Sequence, residues 1–125
     1  MREDERSPEA MVALLKGYRY PVGSEAGFQR GLDQVLTLHG IPFVREHNLG
    51  RAFGRIDFYL PQQGYGIELM IKGSPSEVMR QLHRYAQSPE ISALILMTGR
   101  TRLAFAPVAL NGKPLLTASL WHGQF

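Results

Sequence analysis

Apolar residues recur at helical spacing in three stretches of the chain and alternate with polar ones in two others. In "SPEAMVALLKGY", Met11, Leu14, Leu15 and Tyr18 mark one helical face; Ser7 can cap the start, Pro8 suits the first turn, and Gly17 and Pro21 punctuate the end. A second helix is predicted from Ser24 through about His39, with Phe28, Leu32, Val35 and Leu36 as its apolar stripe and Gly40 as its stop. "IPFVREH" reads as a strand. In "RIDFYL", Ile56, Phe58 and Leu60 are predicted to face one way and Arg55, Asp57 and Tyr59 the other. After the turn "PQQGYG", "IELMIK" puts Ile67, Leu69 and Ile71 on one face and Glu68, Met70 and Lys72 on the opposite one. A third helix follows in "GSPSEVMRQLHRYAQ", where Ser74 and Glu77 make a capping box around Pro75 and Val78, Leu82, Tyr85 and Ala86 form the buried stripe. "SALILMT" is continuously apolar, as a central strand covered on both faces should be. Asn111-Gly112 between two apolar runs predicts a C-terminal hairpin. The core order is therefore αβββαβ plus that hairpin, an α/β arrangement with a mixed sheet flanked by helices.

Composition narrows the class. At 125 residues and 44% hydrophobic content the chain suits a single domain spanning residues 1–125. Cysteine is absent, which removes disulfides and thiolate metal sites and favours an intracellular, cytoplasmic protein. The charged start, "MREDERSPEA", is unlike a signal peptide, and no run approaches the roughly 20 apolar residues of a membrane span. A net charge of +3 and a pI near 9.5 decide little alone. Their distribution says more: Arg45, Arg51 and Arg55 precede or flank the carboxylate-bearing hairpin, and Arg80, His83 and Arg84 follow it, a cationic rim suited to a phosphate-rich ligand or simply a solvated face.

The chemistry concentrates on Asp57 and Glu68. On neighbouring strands they bring two negative charges to about 5 Å, a repulsion on the order of 3 kcal/mol at an effective dielectric near 20. A protein can relieve this by protonating one acid, by ion pairs with Arg55 and Lys72, or by a divalent cation; hard oxygen ligands favour magnesium or manganese over zinc. The histidines, at 39, 47, 83 and 122, lack zinc-like spacing, and His47 in the Gly- and Arg-rich "REHNLGRAFGR" is the one placed to touch nucleic acid. No Ser-His-Asp arrangement, phosphate-binding glycine loop or helix-turn-helix signature is present.

The succession of a helix-borne Glu25, then Asp57, then Glu68 on the next strand, then Gln81 and Tyr85 on the next helix resembles the PD-(D/E)XK nuclease superfamily, and within it small stand-alone nucleases of phage and mobile elements and RecB-type nucleases with a Gln-x-x-x-Tyr helix. The likeness runs from about Ser24 to Thr98. It implies a restriction-endonuclease-like fold and a magnesium-dependent deoxyribonuclease. Asp57, Glu68 and the carbonyl of Leu69 would hold the metal and Glu25 would join them. Gln81 and Tyr85 would steady the ion shell and the backbone phosphate, and Arg80, Arg84 and Arg55 would grip DNA. Each has a plainer reading: Glu25 as an acid favoured by a helix start, Tyr85 as core, Gln81 as a surface amide, the arginines as solvated.

Met70 departs from the pattern, since the family lysine should stand there and a thioether carries no charge to stabilise a developing oxyanion. Losing such a donor costs roughly 100- to 1000-fold in rate by analogy with other sites. Lys72, two residues past Met70, shares the face of Glu68 and starts about 7 Å farther along the strand than Met70, so it could take over the role. Alternatively the fold serves DNA binding or assembly without catalysis, or the methionine is a deliberate silencing change. A third class of reading makes the apolar tail "LLTASLWHGQF", with Leu120 and Trp121, a contact with a second copy.

Overall fold

The computed structural model describes residues 6–99, 103 and 107–120, so Trp121 and His122 lie outside it. Capping sets the helices. In α1 (Pro8–Lys16), the Ser7 hydroxyl accepts from the amide of Ala10 at 3.0 Å; in α2 (Glu25–Leu38), Ser24 accepts from Gly27; in α3 (Pro75–Ala86), Ser74 accepts from Glu77. Each cap satisfies an amide that the first turn leaves without a partner.

Six strands form one sheet: β1 (Val44–Asn48), β2 (Arg55–Leu60), β3 (Tyr65–Met70), β4 (Ala93–Thr98), β5 (Val108–Leu110) and β6 (Lys113–Ser119), in the order β1-β2-β3-β4-β6-β5. The first three are an antiparallel meander; β4 runs parallel to both β3 and β6, and β5 closes the far edge antiparallel to β6. Over the described residues the protein is thus a mixed α/β structure with a six-stranded mixed sheet and three helices. The Asn111-Gly112 turn joins β5 to β6, both residues having positive φ (52° and 74°), the geometry that matches the twist of the flanking strands.

Two cores sandwich the sheet. On one face Met11 and Leu15 of α1 and Phe28, Leu32 and Leu36 of α2 pack on Phe58, Ile67, Leu69, Ile95 and Met97; on the other, Val78, Leu82 and Tyr85 of α3 pack on Leu94, Leu96 and Leu115. Residues of β4 alternate between the two cores, which explains its unbroken apolar run. The β5–β6 hairpin pins the far end of α3: Lys113 Nζ donates to the carbonyls of Ala86 and Ser88 at 2.7 Å each, and the Asn111 side chain donates to Ala86. These bonds satisfy carbonyls that a helix C-terminus leaves open.

Three sequence expectations need correcting. The first strand begins at Val44 rather than Ile41, because Ile41 and Phe43 are drawn onto the α1/α2 core as the chain leaves α2, where the Ile41 amide still bonds the Leu36 carbonyl. Ile56 does not share a face with Phe58 and Leu60. It packs with the α3 core whereas they pack with the other, so the regular alternation of β2 breaks at Asp57. Ile56 fills the space over Gly66: a Cβ there would run into Ile56 Cδ1 and lie 3.0 Å from Ile91 and 3.1 Å from Leu94. Finally, Leu120 is buried against the α1/α2 core and is no exposed contact surface.

A candidate carboxylate site between β2 and β3

The break in β2 is where the acids meet. Regular β2–β3 register runs from Leu60↔Tyr65 to Phe58↔Ile67. Beyond it the carboxylates take backbone donors across the gap: the Asp57 amide donates to Glu68 Oε1 at 3.1 Å, and the Leu69 amide donates to Asp57 Oδ2 at 2.9 Å. The two side chains are thereby fixed beside each other by reciprocal bonds. On the other side of β2, Glu46 falls opposite Asp57, between the Arg45↔Phe58 and His47↔Ile56 pairs, and holds a φ of 49°. That conformation is uncommon for a residue with a side chain, and such strain concentrates at functional positions.

Electrostatics follow from burial. Glu68 is only 6% exposed. Burial and the Asp57 charge push its pKa up to about 8, against hydrogen bonds from the Asp57 amide and Tyr85 that favour the ionised form. Asp57 is also raised, chiefly by burial, with Glu25 and Glu46 adding repulsion while the Leu69 amide and the Arg45 charge pull it back. In the absence of a cation, burial and the neighbouring Asp57 charge thus favour the protonated form of Glu68.

Tyr85 supports Glu68 from α3. Its phenol oxygen accepts from Gln81 Nε2 at 2.6 Å and lies 2.8 Å from the Arg55 carbonyl and 3.1 Å from Glu68 Oε2. A phenol has one proton to give. The phenol accepts from Gln81 and shares its one proton between the Arg55 carbonyl and Glu68 Oε2. Tyr85 itself is 1% exposed and its phenol pKa is raised by burial and the Glu68 carboxylate, so this hydroxyl acts inward on Glu68.

The remaining candidates surround this core unevenly. Glu25, exposed at the start of α2, adds its negative charge to both acids. Met70 is half-buried against the α3 core, and Lys72 is exposed in the bend after β3. Arg80 and Arg84 project into solvent from α3, and Arg55 is exposed with Glu46 at 3.7 Å. His47 stacks on Tyr59, with ring centroids 4.6 Å apart, and its Nε2 is 2.8 Å from a Glu90 carboxylate oxygen. An open cavity of about 410 Å³ lies elsewhere, between the Tyr18–Pro21 segment and the Gly27–Gly31 flank of α2, away from the acids. Sequence reading missed Glu46 and the part played by Arg45, because a positive φ at a glutamate and a contact between β1 and α2 leave no local pattern to detect.

A magnesium ion is usually held by one or two carboxylates together with waters and substrate phosphates rather than by an all-protein cage. Asp57 and Glu68 suit that role: two hard ligands whose repulsion a divalent charge would relieve, the first partly exposed and the second behind it. Among the described residues no group of three or more His, Asp or Glu side chains is arranged to hold an ion by itself. No helix among them is long and apolar enough to cross a membrane. Comparison with family models, curated proteins and solved structures finds no match to this chain.

Proposed function

We propose that the protein is a metal-dependent nuclease of the PD-(D/E)XK type, hydrolysing DNA phosphodiester bonds in phage or mobile-element DNA processing. One observation carries the reading: on adjacent strands, Glu68 accepts from the Asp57 amide and Asp57 from the Leu69 amide, and the two acids share a charge conflict that a divalent cation would resolve. The succession α2, β1, β2, β3, α3, β4, with β3 parallel to β4, agrees with the order expected of a restriction-endonuclease-like core. The bonds linking Gln81, Tyr85 and Glu68 agree with the Gln-x-x-x-Tyr helix of the RecB-type nucleases.

When bound, magnesium or manganese would polarise the phosphodiester and lower the pKa of an attacking water. The chain's own contribution is positional. Asp57 would offer the cation its accessible carboxylate, Glu68 its buried one and Leu69 its carbonyl. Tyr85, held by Gln81, fixes the Glu68 carboxylate, and Glu25 supports the outer shell from α2. Arg80, Arg84 and Arg55 contribute sequence-independent attraction to the DNA backbone.

Met70 favours a second reading, a DNA-binding or assembly module without catalysis. Plasmid and branched DNA incubated with magnesium or manganese separate the two. The nuclease reading expects cleavage that Asp57→Asn abolishes, together with manganese binding measurable by calorimetry on the wild type and absent from the variant. DNA retention that is salt-sensitive, indifferent to metal and unchanged by Asp57→Asn, with no cleavage even after Met70→Lys, would establish the module instead.

A further inference from the structure

We infer that Arg45 on β1, held against Gln29 and Asp33 of α2, supplies the positive charge at the scissile phosphate that Met70 does not; this rests on the nuclease reading above. Hydrolysis of a phosphodiester builds negative charge on the phosphoryl oxygens, and a cation aimed at them is one of the larger contributions a protein can make. Neither residue of the β3 end is well arranged for it. Met70 is uncharged and turned onto the α3 core, and Lys72 lies past the strand in an exposed bend.

Arg45 comes from the other side of the acids. It stands directly across from Phe58, the neighbour of Asp57, and its guanidinium carbon lies 5.2 Å from the Phe58 ring centroid. Stacking there orients the planar cation while leaving its edge donors available. One terminal nitrogen donates to Gln29 Oε1 at 2.8 Å, and the other faces Asp33 at 3.5 Å. Glu25, Gln29 and Asp33 are spaced four residues apart, so they form one line along α2, leading from Arg45 toward the end where Glu25 acts on Asp57 and Glu68.

The hold on Arg45 is light. Both it and Asp33 are 37% exposed, and a pair at that exposure and distance contributes little. Moving the guanidinium by one helical turn, about 5.4 Å, carries it from the level of Asp33 and Gln29 to that of Gln29 and Glu25, on the side of the acid pair. There its fork can donate to two oxygens of one phosphate, a geometry a single ammonium cannot reproduce. The charge of Arg45 already acts on Asp57 from its resting position.

Single-turnover cleavage of a DNA duplex with manganese, run on the wild type, Arg45→Met, Lys72→Met, Met70→Lys and the Arg45→Met/Met70→Lys double variant, tests this. Arg45→Met should slow cleavage ~100- to 1000-fold with little change in melting temperature, and Met70→Lys added to it should restore most of the rate. Retention of DNA in EDTA gives a second readout: Arg45→Met should reduce the slope of log affinity against log salt by about one phosphate contact. A greater loss from Lys72→Met than from Arg45→Met overturns the inference, as does an Arg45→Met defect that melts with the fold and is not rescued by Met70→Lys. An inactive wild type that cuts once Met70→Lys is introduced overturns it while sparing the nuclease reading. If neither protein cuts, both fail.

Discussion

Glu68 shows how one residue turns burial into a pH response. Its pKa is about 8 in the folded protein against an ordinary 4.5, so between those values the native state binds a proton that the unfolded chain does not. The stability this contributes is fully present below about pH 4.5 and is lost as pH rises through about 8. Asp57, also raised, acts with the same sign. Metal-free wild type should therefore melt at a lower temperature at pH 9 than at pH 6, and Glu68→Gln, which keeps an acceptor oxygen for Tyr85 but does not titrate, should flatten that difference. Equal slopes in the two proteins would mean that Glu68 is ionised in the fold. Because the same proton must leave before the carboxylate can bind a cation, manganese affinity should fall about tenfold for each pH unit below 8. That Asp57 and Glu68 stand on neighbouring strands was legible from the two short runs and the turn between them. The inward bond of Tyr85 was not, because a tyrosine on an apolar stripe reads as core whether or not its hydroxyl finds an acid.

Among the elements, β3, like β4, has a core on each face. Gly66 shows the tightness, since Ile56, Ile91 and Leu94 already occupy the volume its side chain would need. Gly66→Ala should cost about 1–3 kcal/mol by overpacking, measured by denaturant unfolding. Ile56→Val, which removes the Cδ1 in the way, should recover part of it in the double variant; an additive loss would show that the backbone and not Ile56 sets the limit. Helices and their starts were legible, since Ser7, Ser24 and Ser74 cap through bonds made within three residues of themselves. The facing of β2 was misread at Ile56, because alternation assumes an unbroken pleat and the carboxylate bonds around Asp57 interrupt it.

At the scale of the whole molecule, β4 and β6 lie inside the sheet while β1 and β5 form its edges. Amide exchange should be slowest in Ile95, Leu96 and Met97, buried and paired on both sides, and fastest in β1, whose residues are mostly exposed. Comparable protection at both places would contradict a sheet edged by β1. The chain's pattern by itself determined the helices with their caps, the strand segments, the Asn111-Gly112 turn and the two acids on adjacent strands, because each depends on residues close in sequence or on a simple period. Only the tertiary structure decided that Glu68 is buried with its pKa pushed up, that Tyr85, itself bonded by Gln81, reaches it from α3, that the charges of Glu46 and Glu25 act on Asp57, and that Arg45 rests on α2. These depend on which distant segments share a face and how much water they exclude, and no local pattern encodes either.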